Sequence, residues 1–242
     1  MINKSKILYI VFLFLLLSYS YSFSFEEIEG VYIKIALDEN RYLQLDLEKK
    51  NPHNRYLSHT VSSLIKSTFS IKSISTEYYS EKVSTVKNNH IEIKIYHFDP
   101  IFNDRFKHIL WIYEDGRLYK QEVYDLSDKL LYSYEFKTNN VKKIPPKSEI
   151  NGGFYFYKGF KLVYSGKNNE DENQLLFSDG LNNFSVFWKK HLCDFTPLRR
   201  IIFGNYMLRK CIDDFLVTVV GTIPYFEMEK VVKYLIKKEV IK

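Results

Sequence analysis

Residues 108–136 read HILWIYEDGRLYKQEVYDLSDKLLYSYEF, and this stretch decides the fold. His108–Tyr113, Leu118–Tyr124 and Leu130–Phe136 are runs of aromatic and branched side chains. Such residues suit a pleated, half-buried surface. Between the first two runs stands Glu114-Asp115-Gly116-Arg117. An Asp-Gly pair there marks a hairpin, because a tight turn between antiparallel strands needs backbone angles that these two residues tolerate. Ser127-Asp128-Lys129 makes the second connection, so the stretch is a three-stranded antiparallel meander.

Working toward the N-terminus, Val31–Leu37, Tyr42–Leu47, Thr68–Ser73 and His90–Phe98 read as further strands. Ile91, Ile93 and Ile95 fall on one face while Glu92 and Lys94 fall on the other, the alternation of a strand with one buried side. Leu57, Val61, Leu64 and Ile65 instead carry the spacing of a short helix between Leu57 and Ser67. Toward the C-terminus the texture changes at Pro145-Pro146 and Gly152-Gly153, which mark a linker. The reading places a first domain over 25–144, the linker over 145–153 and a second domain over 154–242. The second domain carries strands at Phe160–Tyr164, Leu175–Phe177, Phe184–Trp188, Asn205–Lys210 and Phe215–Val220, then one helix. Thr222 is its expected N-cap, with Pro224 in the first turn, Glu227 and Glu229 early, and Lys233, Lys237 and Lys238 late, as the helix dipole favours. Met228, Val231, Val232 and Leu235 form its apolar stripe, which is expected to pack on the second sheet. The fold class is mainly β with few helices, in two antiparallel layers.

Composition agrees. The 242 residues include 20 Tyr and 19 Phe against 9 Gly and 6 Pro, and a hydrophobic share of 45% is enough for a real core. A charged share of 26% with a net charge of only +6 excludes both a disordered polyelectrolyte and a strongly basic nucleic-acid binder. The chain opens with Lys4 and Lys6, an apolar run from Ile7 to Leu17, and then Ser18, Ser20, Ser22 and Ser24. That pattern reads as a signal peptide over 1–24, because the apolar run is shorter than the roughly twenty residues a spanning helix needs. Export would permit a bridge between Cys193 and Cys211, the only two cysteines; two buried thiols are the other reading.

No catalytic constellation emerges. There is no Gly-x-Ser-x-Gly elbow, no His-Glu-x-x-His and no glycine-rich phosphate loop. His90 and His97 would face opposite sides of one strand, and His191 with Cys193 leaves a zinc site short of ligands. Asp213-Asp214 reads as a turn between strands rather than an acid/base pair. The expectation is a protein without enzymatic activity, metal or cofactor. Phe154, Tyr155, Phe156 and Tyr157, clustered beside the linker, are the candidate partner- or ligand-binding residues, with packing of the domain junction as the structural alternative.

The chain resembles the MucB/RseB family, periplasmic regulators of an extracytoplasmic stress sigma factor. The residues that carry the resemblance are Leu110-Trp111-Ile112, Asp115-Gly116-Arg117-Leu118, Asp125-Leu126 and Tyr134-Glu135-Phe136 in the first domain. In the second they are Gly159-Phe160, Ser178-Asp179-Gly180-Leu181 running into Phe184-Ser185-Val186-Phe187, and Val217-Thr218-Val219-Val220-Gly221 with Pro224 opening the last helix. The resemblance implies a first domain similar to the half-barrel of the lipoprotein carriers LolA and LolB, and a smaller sheet domain with a packed helix. It also implies a non-enzymatic periplasmic protein that binds the periplasmic part of a transmembrane anti-sigma factor and shields it from proteolysis, with lipid or lipopolysaccharide as releasing ligand. The alternative function is a LolA/LolB-like carrier of lipid or lipoprotein. Two departures accompany the resemblance: Lys158 replaces the family's proline before the Gly-Phe pair, and the opening helix and first strands of the first domain are expected to be missing. A shortened half-barrel would expose a sheet edge, and pairing of such edges would give a homodimer.

Overall fold

Alternation of buried and open side chains sorts the chain into two sheets. The structure, a computed structural model, describes residues 31–47, 74–88, 91–136, 156–168, 171–191 and 196–241. The first sheet comprises β1 (Val31–Ala36), β2 (Tyr42–Leu47), β3 (Tyr79–Asn88), β4 (Ile91–Pro100), β5 (Lys107–Tyr113), β6 (Leu118–Tyr124) and β7 (Leu130–Phe136). Its order is β2-β1-β7-β6-β5-β4-β3, antiparallel at every contact. The expected meander is its centre, β5 to β7. Gly116 closes the first hairpin at φ +83°, with the Tyr113 N–H donating to the Arg117 carbonyl at 2.8 Å. Register aligns Ile33, Tyr134, Gln121, Leu110 and Tyr96 in one row across the sheet, and on this face the first core is built.

The second sheet comprises β8 (Phe156–Tyr157), β9 (Phe160–Lys167), β10 (Asn173–Ser178), β11 (Asn183–Lys190), β12 (Leu198–Ile202), β13 (Asn205–Ile212) and β14 (Phe215–Gly221). Its order is β12-β13-β14-β11-β10-β9-β8. Helix α1 (Tyr225–Lys237) buries Met228, Val231, Val232 and Leu235 against Phe177, Val186, Val217 and Val219. Each such side chain contributes about 1.5–3 kcal/mol on full burial, which fixes the helix to the sheet. Asp213-Asp214 forms the β13–β14 turn, with Asp213 at φ +50°.

Thr222 is not the helix cap. Pro224 holds that position, while the Thr222 hydroxyl accepts from the Asn183 N–H at 3.0 Å and so ties the end of β14 to the start of β11. Three strands escape a reading by alternation, namely β3, β8 and β12, and all three are edges of their sheets. Residues 80–87 of β3 are exposed throughout, so that strand has no burial pattern to read, while β8 is only two residues long and β12 buries Ile201 alone. The expected helix over 57–67, the strand over 68–73, the linker over 145–153, the signal peptide, His90 and Cys193 all lie outside the described residues. Cys211, on β13, is disulfide-bonded.

Polar groups inside the first core form a chain. Gln121 Nε2 lies 2.9 Å from His108 Nδ1, and the Tyr134 hydroxyl donates to Gln121 Oε1. Burial lowers the His108 pKa to about 4 from an ordinary 6.5, an effect that Asn182 only partly offsets. The unfolded chain therefore takes up a proton between about pH 6.5 and 4 that the folded chain refuses, so stability falls as pH falls through this window and is level above it. The gap corresponds to about 3 kcal/mol. Urea unfolding at pH 7 and pH 4 is expected to show a smaller acid loss in His108→Gln than in the parent, by up to about 3 kcal/mol.

Candidate functional site

The two sheets meet through a buried polar lock. Arg105, in the β4–β5 loop, has no exposed surface. Its Nε donates to Asp104 Oδ1 at 2.8 Å, its Nη1 to Asp179 Oδ2 at 2.7 Å, and its Nη2 to the Lys158 carbonyl at 2.7 Å. The guanidinium carbon lies 4.3 Å from the centre of the Tyr78 ring and 4.5 Å from that of Phe160. Arg105 thus belongs to the first sheet by sequence and to the second by half of its contacts. A planar cation suits the place, since it can face two rings and fork to two carboxylates at once.

Asp179 is the matching anchor on the β10–β11 turn. Its Oδ1 accepts from the N–H groups of Leu181 and Asn182 at 2.9 and 2.7 Å. Its Oδ2 accepts from Arg105 and, at 2.6 Å, from the Tyr79 hydroxyl. Desolvation pushes the Asp179 carboxyl up, against the pull of Arg105, Tyr79 and the two backbone donors, and it pushes the Tyr79 phenol well above 10.0. The Asn182 amide donates to the Phe106 carbonyl at 3.0 Å and accepts from the Phe106 N–H at 3.3 Å. Across the same junction the Tyr206 hydroxyl donates to Asp125 Oδ2 at 2.8 Å, and the Gly204 N–H to the Ala36 carbonyl at 2.8 Å. Leu181 and Ile201 of the second half are members of the first core.

Lys158 and Gly159 form the β8–β9 turn, with φ of +47° and +79°. Both central residues are left-handed, as the primed hairpin turn requires. Proline, held near −65°, could not occupy the position of Lys158 at this φ. A Cβ on Gly159 would collide with the Tyr78 ring, which explains the glycine. Lys158 Nζ then reaches Glu227 Oε1 at 2.6 Å, the same oxygen that accepts from the Tyr157 hydroxyl at 2.6 Å. Glu227 is fully buried on α1, so the turn clamps the helix as well. Of the aromatic cluster expected beside the linker, Tyr157 packs into the second core, whereas Phe154, Tyr155 and the side chain of Phe156 lie outside the described residues.

Exposed apolar surface is concentrated elsewhere. Among the described residues six large apolar side chains are exposed: Val83, Val86, Ile101, Phe102, Leu126 and Phe226. Four of the six sit on β3 or in the loop after β4. Phe102, 62% exposed, touches Tyr78 edge-on at 6.3 Å between ring centres, and the Ile101 N–H donates to the Tyr78 carbonyl at 3.0 Å. Tyr78 in turn stacks on Arg105, so the protruding Phe102 stands on the rigid lock. Aromatic side chains held this way are suited to binding, because little entropy is lost when a partner covers them. The sequence offered no signal for this patch, since an isolated Ile-Phe pair in a loop looks like any other. Among the described residues no three His, Cys, Asp or Glu side chains gather as a metal site would require.

No protein-family model and no curated protein matches the chain. Solved structures do. A Pseudomonas aeruginosa MucA/MucB complex aligns with a TM-score of 0.50 at 20% identity, over 64% of this chain and 63% of that chain. A structure of MucB in complex with MucA(peri) aligns with a TM-score of 0.50 at 20% identity, over 64% and 66%. A crystal structure of MucB aligns with a TM-score of 0.52 at 17% identity, over 84% of this chain and 89% of that chain. This chain has the fold of MucB. In the two complexes it spans just under two thirds of the matched chain's length, whereas the match to MucB alone covers too much of this chain for either sheet by itself. Asp125, Gly159, Phe160, Asp179 and Gly180, which carried the family resemblance in the sequence, all stand at the junction of the two sheets or in its turns.

The lock predicts its own energetics. Arg105→Met strands two buried carboxylates and is expected to cost about 3–5 kcal/mol in urea unfolding. Arg199→Ala, which removes a largely exposed ion pair to Glu229, is expected to cost no more than about 1 kcal/mol.

Proposed function

We propose that this chain is an exported, non-enzymatic regulatory binding protein. It holds the periplasmic part of a transmembrane anti-sigma factor, shields it from proteolysis and so restrains an envelope stress response. The observation that carries this reading is the MucB fold, found in structures that include a complex with MucA(peri), combined with turn residues of the resemblance placed at the sheet junction. In this reading the first sheet is the LolA-like half-barrel, the second sheet with α1 is the smaller partner domain, and lipid or lipopolysaccharide is the releasing ligand. The partner docks on the Ile101–Phe102 loop, where an exposed aromatic on a rigid base supplies an anchor.

The test is titration of the purified protein with a synthetic peptide covering the periplasmic segment of the same organism's anti-sigma factor. Saturable binding is expected, with Phe102→Ser weakening it about 10-fold or more while the melting temperature is unchanged. Absence of binding at about 50 μM, roughly the weak limit for a specific regulator, would overturn the reading. Acyl lipid co-purifying with a chain that ignores the peptide would point to the carrier function instead.

A further inference from the structure

Helix α1 carries two stripes. Met228, Val231, Val232 and Leu235 are at most 1% exposed and pack on the second sheet. Phe226, Lys230, Lys233 and Lys237 follow one another at i, i+4, i+7 and i+11. At 3.6 residues per turn they fall within about 60° of arc, on the side of the helix opposite the buried stripe. All four are exposed, Phe226 to 45%. The second stripe runs about 16 Å along the helix axis.

Little acid faces it. Glu229, at its margin, is held by Arg199 Nη2 at 2.5 Å. Glu227 is buried, with Oε1 taken by Tyr157 and Lys158, and its Oε2 lies 3.4 Å from Lys230 Nζ. Lys233 and Lys237 form no ion pair among the described residues, and Glu239 stands beyond the last turn of the helix. The Lys230 ammonium lies 5.1 Å from the centre of the Phe226 ring, so cationic and apolar character meet at the N-terminal end of the stripe.

The chemistry of the stripe selects its partner. Interfaces between proteins are depleted in lysine and rich in arginine and aromatic rings, whereas here three lysines stand in line with no arginine among them. A lysine ammonium is a compact, strongly hydrated charge on a flexible stem, which suits a broad field of phosphates better than one carboxylate in a fixed place. Neighbouring lysines are closer along the axis than the Debye length of about 10 Å at 0.1 M salt, so they act on such a field together. An exposed phenylalanine beside a line of lysines is also the composition of helices that lie at the headgroup boundary of a bilayer. In those helices the apolar face enters the bilayer. On α1 the sheet already covers that face, which confines contact to the lipid surface and leaves charge to govern it.

We propose that the outer face of α1 docks this protein on an anionic bilayer surface, with Lys230, Lys233 and Lys237 on the lipid phosphates and Phe226 at the headgroup level. The contact is with the face of a membrane rather than with a lipid held inside the protein, and it is independent of the anti-sigma factor reading. The test is co-sedimentation of the purified protein with vesicles of phosphatidylcholine containing about one third phosphatidylglycerol, enough to give a strongly negative surface. Binding is expected at about 0.05 M salt, with loss at about 0.5 M, where the charges are screened. Vesicles of phosphatidylcholine alone are expected to leave the protein in solution. Each lysine near an anionic surface strengthens binding about 5-fold, so the double variant K233E/K237E is expected to bind at least about 10-fold more weakly. Phe226→Ser is expected to weaken binding about 3- to 10-fold. K82E/K94E, the same change of charge on exposed residues of the first sheet, is expected to stay within about 3-fold of the parent. Circular dichroism of each variant checks that the fold is kept. No binding to the anionic vesicles at low salt, binding indifferent to phosphatidylglycerol or to K233E/K237E, or equal weakening by K82E/K94E would overturn the proposal. So would a protein that binds soluble polyglutamate through α1 and ignores the vesicles.

Discussion

A guanidinium without access to water cannot be left unpaired, and Arg105 is held by two carboxylates, one backbone carbonyl and two aromatic rings drawn from both halves of the chain. Burying that charge alone would cost several kcal/mol, so the two sheets are stable only in the arrangement that brings all of these groups together. Asp104 and Tyr78 come from the first sheet's loops, whereas Asp179, Lys158 and Phe160 come from the second's turns. Their geometry excludes sliding of one sheet over the other, because any shift of an ångström breaks several charge-assisted bonds at once. Tyr206, packed against Phe106 on one side and Tyr225 on the other, adds an apolar hinge pin to the polar lock.

Rigidity at the junction has a consequence for the surface. Strand β3 starts at Tyr79, and the Ile101–Phe102 loop after β4 is bonded to Tyr78, both residues that the lock immobilises. The exposed apolar side chains are thus presented on a fixed base rather than on a mobile loop. An interaction built there loses less conformational freedom than one built on a free segment.

Much of this was legible in the amino-acid order. Alternation exposed β4, β5, β6 and β7, and the Asp-Gly and Ser-Asp-Lys turns located the meander to within a residue. The apolar stripe of α1 was read correctly, but its cap was not, because Thr222 has a nearer partner in Asn183 than any helix N–H. Strands β3, β8 and β12 were missed: residues 80–87 of β3 are exposed on both faces and imprint no alternation, β8 is two residues long, and β12 opens with Leu198-Arg199-Arg200, of which none is buried. Gly159-Phe160 was visible as a motif of the resemblance, but the turn at Lys158-Gly159 and its role were not, since nothing in the residues themselves says that a lysine at left-handed φ will reach a glutamate on the last helix.

Local order by itself determined the antiparallel class, the central meander, the apolar stripe of α1 and several of the turns on which the family resemblance rests. These are properties of neighbouring residues, set by side-chain period and by the backbone angles that glycine and aspartate allow. Only the tertiary structure decided what the turns are for. Asp125, Gly159 and Asp179 are far apart along the chain, and their shared place at the junction emerges only in three dimensions, Asp179 holding Arg105, Gly159 making room for the Tyr78 ring and Asp125 holding Tyr206. The same holds for β3, which ends its sheet among the described strands because the others lie on its one side.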